Sequence, residues 1–410
     1  MAPDTKSLNE GTMEVKAEDT TSTVIKPVVT TQEGELENLD EAGLFLQKHN
    51  FTTADLSALM SDAEKNRKII RKIDWILMPL LCGTYFLQYI DKQALSYAAV
   101  FDLLKSTKTS SDQYGWLVSI FYFAYLVFEW PSSYMVQHFP ASRVLGSYVI
   151  CWGVVLLCTA ASHNFTGLAI CRFLLGIFES VVTPCFMLVV GMWYVKQEQP
   201  IRAGLFYCFN GWGSMAGGIL FYAVGHAKGF LIWRIIFLLC GGVTVVWGFV
   251  LLYFLPNDIM SAKRFTVDEK ALLIARSRQN QTGVLNRKIK WDQVVEALTD
   301  PQVWLLFLFV LLNEVVNGGL ANFGKLIIKG VAKNNALLTT VYGIPQSAFQ
   351  VAFVFSGPYL AGKIKNSRTI IMAAYLIPSI IGTAMLWKMP RKNTIGCLFG
   401  YYIVSGCKLG

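Results

Sequence analysis

Apolar and polar positions along this chain segregate on the scale of whole helices. Nine apolar stretches, approximately 75–90, 115–136, 144–161, 167–194, 203–224, 230–255, 303–328, 338–361 and 369–389, are separated by polar loops, and a tenth begins at 395. Each approaches the roughly 20 residues that a ~30 Å hydrocarbon core requires of a helix. The pattern predicts an all-α integral membrane protein, because a helix satisfies its own backbone where water is absent.

The polar segments divide the chain further. Residues 1–41 are rich in Thr and acidic side chains and lack apolar periodicity, so they read as a disordered tail. The resulting domains are an acidic cytoplasmic tail at 1–64, a six-helix bundle at 65–255, a cytoplasmic loop with a short helix at 256–300, and a partial second bundle at 301–410. Ser61-Asp62-Ala63-Glu64 and Thr266-Val267-Asp268-Glu269 have the spacing of capping boxes, which start helices. The acidic start has no apolar core segment and so resembles no cleavable signal peptide.

Composition agrees with this picture: 54% of residues are hydrophobic and 15% charged. A net charge of +9 could suggest nucleic acid, but its placement argues against that. Loops that share a side with the N-terminus hold 19 of the 36 Lys and Arg residues, and the opposite loops hold 10. This positive-inside bias places the N-terminus in the cytoplasm. The cluster Lys65, Arg67, Lys68, Arg71, Lys72 then reads as a topology signal, with phospholipid binding as the other reading. Nine cysteines without a CxxC pair and four scattered histidines indicate neither a metal site nor a disulfide scaffold, and no cofactor is expected. Gly211, Gly213, Gly217 and Gly218 read as a helix contact rather than a nucleotide loop. The sequon at Asn164 lies in a very short loop and is expected to be unused.

Candidate chemistry concentrates in the fourth apolar stretch. Arg172 and Glu179 are seven residues apart, two helical turns, so they share one face about 10 Å apart along the axis. Charges inside a span are costly, which marks an acid and base there as a site for an ion, a proton or a charged substrate. The alternative is a buried ion pair that locks helix packing. Asp91 and Lys92 form a second acid and base at the end of the first span, with an interfacial pair as the alternative. Lys92 and Arg172 count as the two basic residues within the spans, against Asp91, Glu129, Glu179 and Glu314. Tyr122, Tyr125, Asn210, Asn313, Asn317, Gln346 and Gln350 either line a midplane cavity or bond helix to helix.

Tyr134, Ser142 and Arg143 after the second span recur as Tyr359, Ser367 and Arg368 after the eighth, at an offset of 225. Two halves related in this way characterise parallel-repeat transporters. Further motifs are Asp91-Lys92, Glu129-Trp130-Pro131, Pro140-Ala141-Ser142-Arg143, Arg172-Phe173 with Gly176, Glu179 and Pro184, Trp193-Tyr194, Trp233-Arg234, Asp300-Pro301, Asn317-Gly318-Gly319 and Ile344-Pro345. On these residues the chain resembles the major facilitator superfamily, and within it the anion:cation symporter family in its fungal allantoate permease branch. The turn after the second span lacks the usual Gly and Asp, and the fifth span lacks the Gly-Pro pair of drug antiporters.

The resemblance implies proton coupling at Glu179 and Asp91, and substrate binding by Arg172 and Lys92 with Tyr125, Tyr122, Asn210 and Asn317. It implies a monomeric plasma-membrane carrier that brings protons and a small organic anion, such as a ureide, carboxylate or acidic vitamin, across the bilayer, with no enzymatic activity and no nucleic acid partner. A carrier of cations, neutral solutes or drugs, and a non-transporting truncated product, are the alternatives. By the repeat offset the chain stops at the equivalent of Cys185, so about 70 residues that complete a twelve-span fold are expected to be missing.

Overall fold

The computed structural model describes residues 41–227, 230–279, 291–333, 335–363, 368–389 and 393–406, and all regular structure among them is helical. The expected tail at 1–40 lies outside the described residues. From Glu41 the chain is already folded: α1 (Glu41–Lys48) and α2 (Thr53–Ser61) bury Ala42, Leu46 and Leu56. Thr52 and Asp55 form a capping box at the start of α2.

The next helix, α3 (Ala63–Val100), starts one residue later than the expected cap. Its N-cap is Asp62, whose carboxylate accepts from the backbone of Glu64 and Lys65. Ser61 instead ends α2, its hydroxyl donating to the Ala58 carbonyl. At 38 residues and 1.5 Å each, α3 is about 57 Å long, far beyond the stretch 75–90. Its first turns project as a charged extension and its last turns continue past Asp91. After the single turn α4 (Leu103–Ser106), α5 (Ser111–His138) opens with a Ser110–Gln113 capping box.

Then come α6 (Ala141–Ala161), α7 (Phe165–Glu179), α8 (Val182–Trp193), α9 (Gln199–Val224) and α10 (Ile232–Phe254). Asn164, the sequon asparagine, caps α7 by accepting from the Gly167 backbone. The expected span at 167–194 is broken immediately after Glu179, where Ser180 and Val181 separate α7 from α8 and Pro184 falls in the first turn of α8. Helices α6 and α10 pack backbone to backbone through Gly153 and Gly241. A Cβ on either glycine would stand within 3.0 Å of the other's carbonyl oxygen, so only glycine permits this crossing. Trp152, Trp233, Tyr97 and Tyr114 are fully buried in the resulting core.

Two short helices follow, α11 (Val267–Gln279), with its Thr266–Glu269 capping box as expected, and α12 (Trp291–Thr299). The second half contributes α13 (Pro301–Val331), α14 (Ala336–Lys363), α15 (Arg368–Lys388) and α16 (Thr394–Gly406). All nine expected spans fall on helices. Six helical segments are long and apolar enough to cross a membrane by length and composition: Ala63–Val100, Ala141–Ala161, Phe165–Trp193, Ile232–Phe254, Pro301–Val331 and Ile370–Lys388. Helices α5, α9 and α14 are as long but more polar. Two of them, α9 and α14, pack along each other where the halves meet. The expected glycine contacts are there: Gly213 lies on the Phe86 carbonyl of α3, and Gly211 on Val351 of α14.

Hydrogen bonds between the halves gather toward one end. Ser96 and Tyr114 donate to the Asn322 carbonyl at 3.1 and 3.0 Å, and Lys329 donates to the Val100 carbonyl at 2.8 Å. Ser214 and Ser347 join α9 to α14 at 2.6 Å. This distal end, where α3 finishes, is sealed. At the proximal end the first turns of α13 expose Trp304, Leu305 and Leu306.

Candidate functional site

Beneath the distal seal the charged side chains of α3 and α7 converge. Lys92 and Glu179 form an ion pair at 3.1 Å, with Glu179 only 2% exposed. The ammonium of Lys92 also stands 5.8 Å from the ring centroid of Tyr125, whose hydroxyl lies 3.4 Å from that of Thr183. Both expected pairings are thereby corrected. Glu179 is partnered by Lys92 and not by Arg172, because two turns along α7 leave those charges too far apart for contact. Asp91 does not pair with Lys92, since neighbours on a helix point about 100° apart. It faces α10 instead: Thr244 donates to one carboxylate oxygen at 3.0 Å, and the other, also buried, has no hydrogen-bond partner.

Arg172 is 6% exposed, and its Nε and Nη2 are buried without hydrogen-bond partners. An uncompensated buried charge costs several kcal/mol. The guanidinium borders a cavity of about 40 Å3 together with Tyr89, Lys92, Gln93, Tyr122 and Asn322. A water occupies about 30 Å3 in the liquid, so the cavity in this conformation admits roughly one water and no organic anion.

Of the expected site residues, Arg172, Lys92 and Tyr122 are brought together, and Tyr125 lies directly beneath Lys92. Asn317 is not among them; its side chain donates to Glu314 at 2.9 Å. Asn322 takes its place, bonding the Tyr122 hydroxyl at 3.2 Å. Five residues along a helix turn a side chain about 140° away, so the two asparagines face differently. Asn210 is half-buried on α9 outside the cavity lining. Gln346 and Gln350 are helix-to-helix hydrogen bonders, Gln350 with Tyr89 across the two halves.

One buried cation escaped the sequence reading. Lys325 falls within the stretch 303–328 yet was grouped with the loops of the distal side; it is 3% exposed on α13, so Lys92 and Arg172 are not the only basic residues in the spans. Its signal was position alone, a lysine inside an apolar stretch rather than after it.

Residues 81–409 match the protein family described as Major Facilitator Superfamily. The allantoate permease of Saccharomyces cerevisiae is 31% identical over 85% of this chain and 65% of its own. The thiamine pathway transporter of the same yeast is 30% identical over 92% of this chain and 74% of its own. A crystal structure of a bacterial homologue of the human lysosomal transporter Spinster, inward-facing and occupied, superposes with a TM-score of 0.57 at 16% identity, covering 81% of this chain and 71% of that one. The chain spans about two thirds of the length of the curated relatives it matches, 61% and 65% for two transporters of Schizosaccharomyces pombe.

Proposed function

Because the chain belongs to the Major Facilitator Superfamily, we propose that it carries a small organic anion across the membrane in symport with a proton. The observation that supports this reading is Arg172, a buried guanidinium with two nitrogens lacking partners at the edge of the cavity. A planar fork of donors matches a carboxylate bidentately, so an anionic substrate supplies what the empty site lacks.

Coupling follows from the charge arrangement. With Glu179 ionised, Lys92 is neutralised by it. A proton on Glu179 removes that counter-charge, and the Lys92 ammonium then joins Arg172 in holding the substrate's carboxylate. Release of either ligand favours release of the other, which is the reciprocity that symport requires. Asp91, bonded to Thr244 and turned from the cavity, is a second proton carrier only indirectly. The resemblance to an allantoate permease supports an anion, and the basic-loop bias supports a cytoplasmic N-terminus in a plasma-membrane protein. The experiment is uptake by the full chain under imposed pH steps, with allantoate, ureidosuccinate, nicotinate, pantothenate and thiamine. Acid outside should drive accumulation of one of the anions; transport of thiamine alone would sink the reading.

A further inference from the structure

The seal between the halves contains a buried cation that the cycle above does not use. Lys325 sits on α13 one turn beyond Asn322, the residue that bounds the cavity, and residues three apart share a helix face. Its ammonium donates to Oε1 of Gln346 at 3.0 Å and lies 5.0 Å from the ring centroid of Tyr97. Tyr401 donates to the same Oε1 at 3.0 Å. Tyr97 is fully buried, and its hydroxyl has no hydrogen-bond partner.

The chamber is built for these polar groups. A Cβ on Gly343 would stand 2.7 Å from the Lys325 ammonium and 3.0 Å from the Tyr97 hydroxyl, and one on Gly324 would collide with the Tyr401 hydroxyl. Tyr97 comes from α3 in the first half, whereas Lys325, Gln346 and Tyr401 come from α13, α14 and α16 in the second. The cluster therefore exists only while the distal end is closed.

An amide oxygen and an aromatic face are partial replacements for water around an ammonium: a desolvated cation–π contact is worth about 2 kcal/mol, against several for burial of the ion. Methionine would fill the same space at no such cost. A lysine kept at a moving contact gains its advantage in the other state. When the distal ends part, Tyr97 withdraws with α3, and Lys325 stands at the cavity mouth one turn from Asn322.

We propose that Lys325 is a specificity-determining residue for the entering anion. With the distal end open it is the first cation a small carboxylate meets, and it passes the carboxylate inward to Arg172. As the end closes over the loaded cavity, Lys325 returns to Gln346 and the Tyr97 ring. The proposal rests on the anion reading above.

The test is uptake kinetics of the full chain in the membrane for Lys325→Gln, Lys325→Met and Lys325→Arg beside Arg172→Ala, using an anion that the wild type carries. Lys325→Gln and the volume-conserving Lys325→Met should raise KM for entry about tenfold or more with kcat within about threefold, and Lys325→Arg should restore KM. Wild-type KM in either neutral variant overturns the proposal. So does an equal loss in Lys325→Arg, which would mark shape rather than charge. Arg172→Ala separates the two failures: unchanged KM there removes the anion reading itself, whereas a raised KM there with no effect at Lys325 removes only the outer residue.

Discussion

Two charged assemblies lie along α3, one near its proximal start and one near its distal end, and they are finished to different degrees. In the proximal one both oxygens of Asp74 are engaged: Arg202 donates to them at 2.8 and 3.0 Å, and Tyr194 donates at 2.8 Å. Lys72 reaches both oxygens of Glu269 on α11, and Arg276 meets Glu198 at 2.7 Å. In the distal one Arg172 has two nitrogens without partners and Asp91 an oxygen without one. Complete pairing holds helix ends together. Incomplete pairing at greater burial leaves capacity for a ligand and a proton.

The largest effect should come from removing the proton acceptor of the distal assembly. One coupled proton sustains about tenfold accumulation per unit of pH difference, 1.36 kcal/mol. In Glu179→Gln that ratio should fall to one while substrate exchange continues; a mutant that still concentrates substrate under a pH step removes Glu179 from the coupling role. Next in size is Arg172→Ala, where loss of a buried charged contact of ~2 kcal/mol or more weakens anion affinity roughly thirtyfold, read by competition binding.

A smaller, opposite signature belongs to the proximal assembly. Arg202→Gln leaves Asp74 half-satisfied at a partly exposed site and should cost about 1–2 kcal/mol, seen as a lower melting temperature with KM unchanged. A changed KM with unaltered melting would erase the distinction between the two assemblies. The smallest effect concerns Glu269. Its burial pushes the carboxyl up, but the Lys72 ammonium and the Thr266 backbone outweigh that and hold it below its usual range. A depressed folded value means its contribution is present above the unfolded value of about 4.3 and is lost as pH falls through the folded one. Exposure of both partners limits it to ~0.5 kcal/mol. Amide exchange in α11 should therefore quicken below pH 4, and in Glu269→Gln it should be quick at neutral pH already.

Much of this molecule was legible because its signals are local. Length of apolar stretch fixed the spans, Thr266 with Glu269 fixed the start of α11, and the Gly211 to Gly218 run fixed a helix contact. The site was legible only as an inventory. Arg172, Lys92, Glu179 and Tyr122 could be picked out by their cost in hydrocarbon, but partners cannot be read from one strand of sequence. Glu179 meets a lysine on another helix, and Asp91 turns from its own neighbour to Thr244 on α10. Asn322 rather than Asn317 faces the cavity because of a rotation that a list of polar residues does not carry. Lys325 was missed because it lies near the end of its apolar stretch, where lysines usually belong to the following loop. Its burial depends on contact with the opposite half.

The pairing of one lysine with one glutamate at the cavity also bears on voltage. A carrier with a single such carboxylate takes one proton with each monoanion, so its loaded form crosses electroneutrally. The membrane potential, worth about 2.3 kcal/mol per charge per 100 mV, then does no work on that step. A dianion would cross with one uncompensated negative charge and would be opposed by an interior-negative potential, so an energised cell would favour monovalent over divalent cargo through the same site.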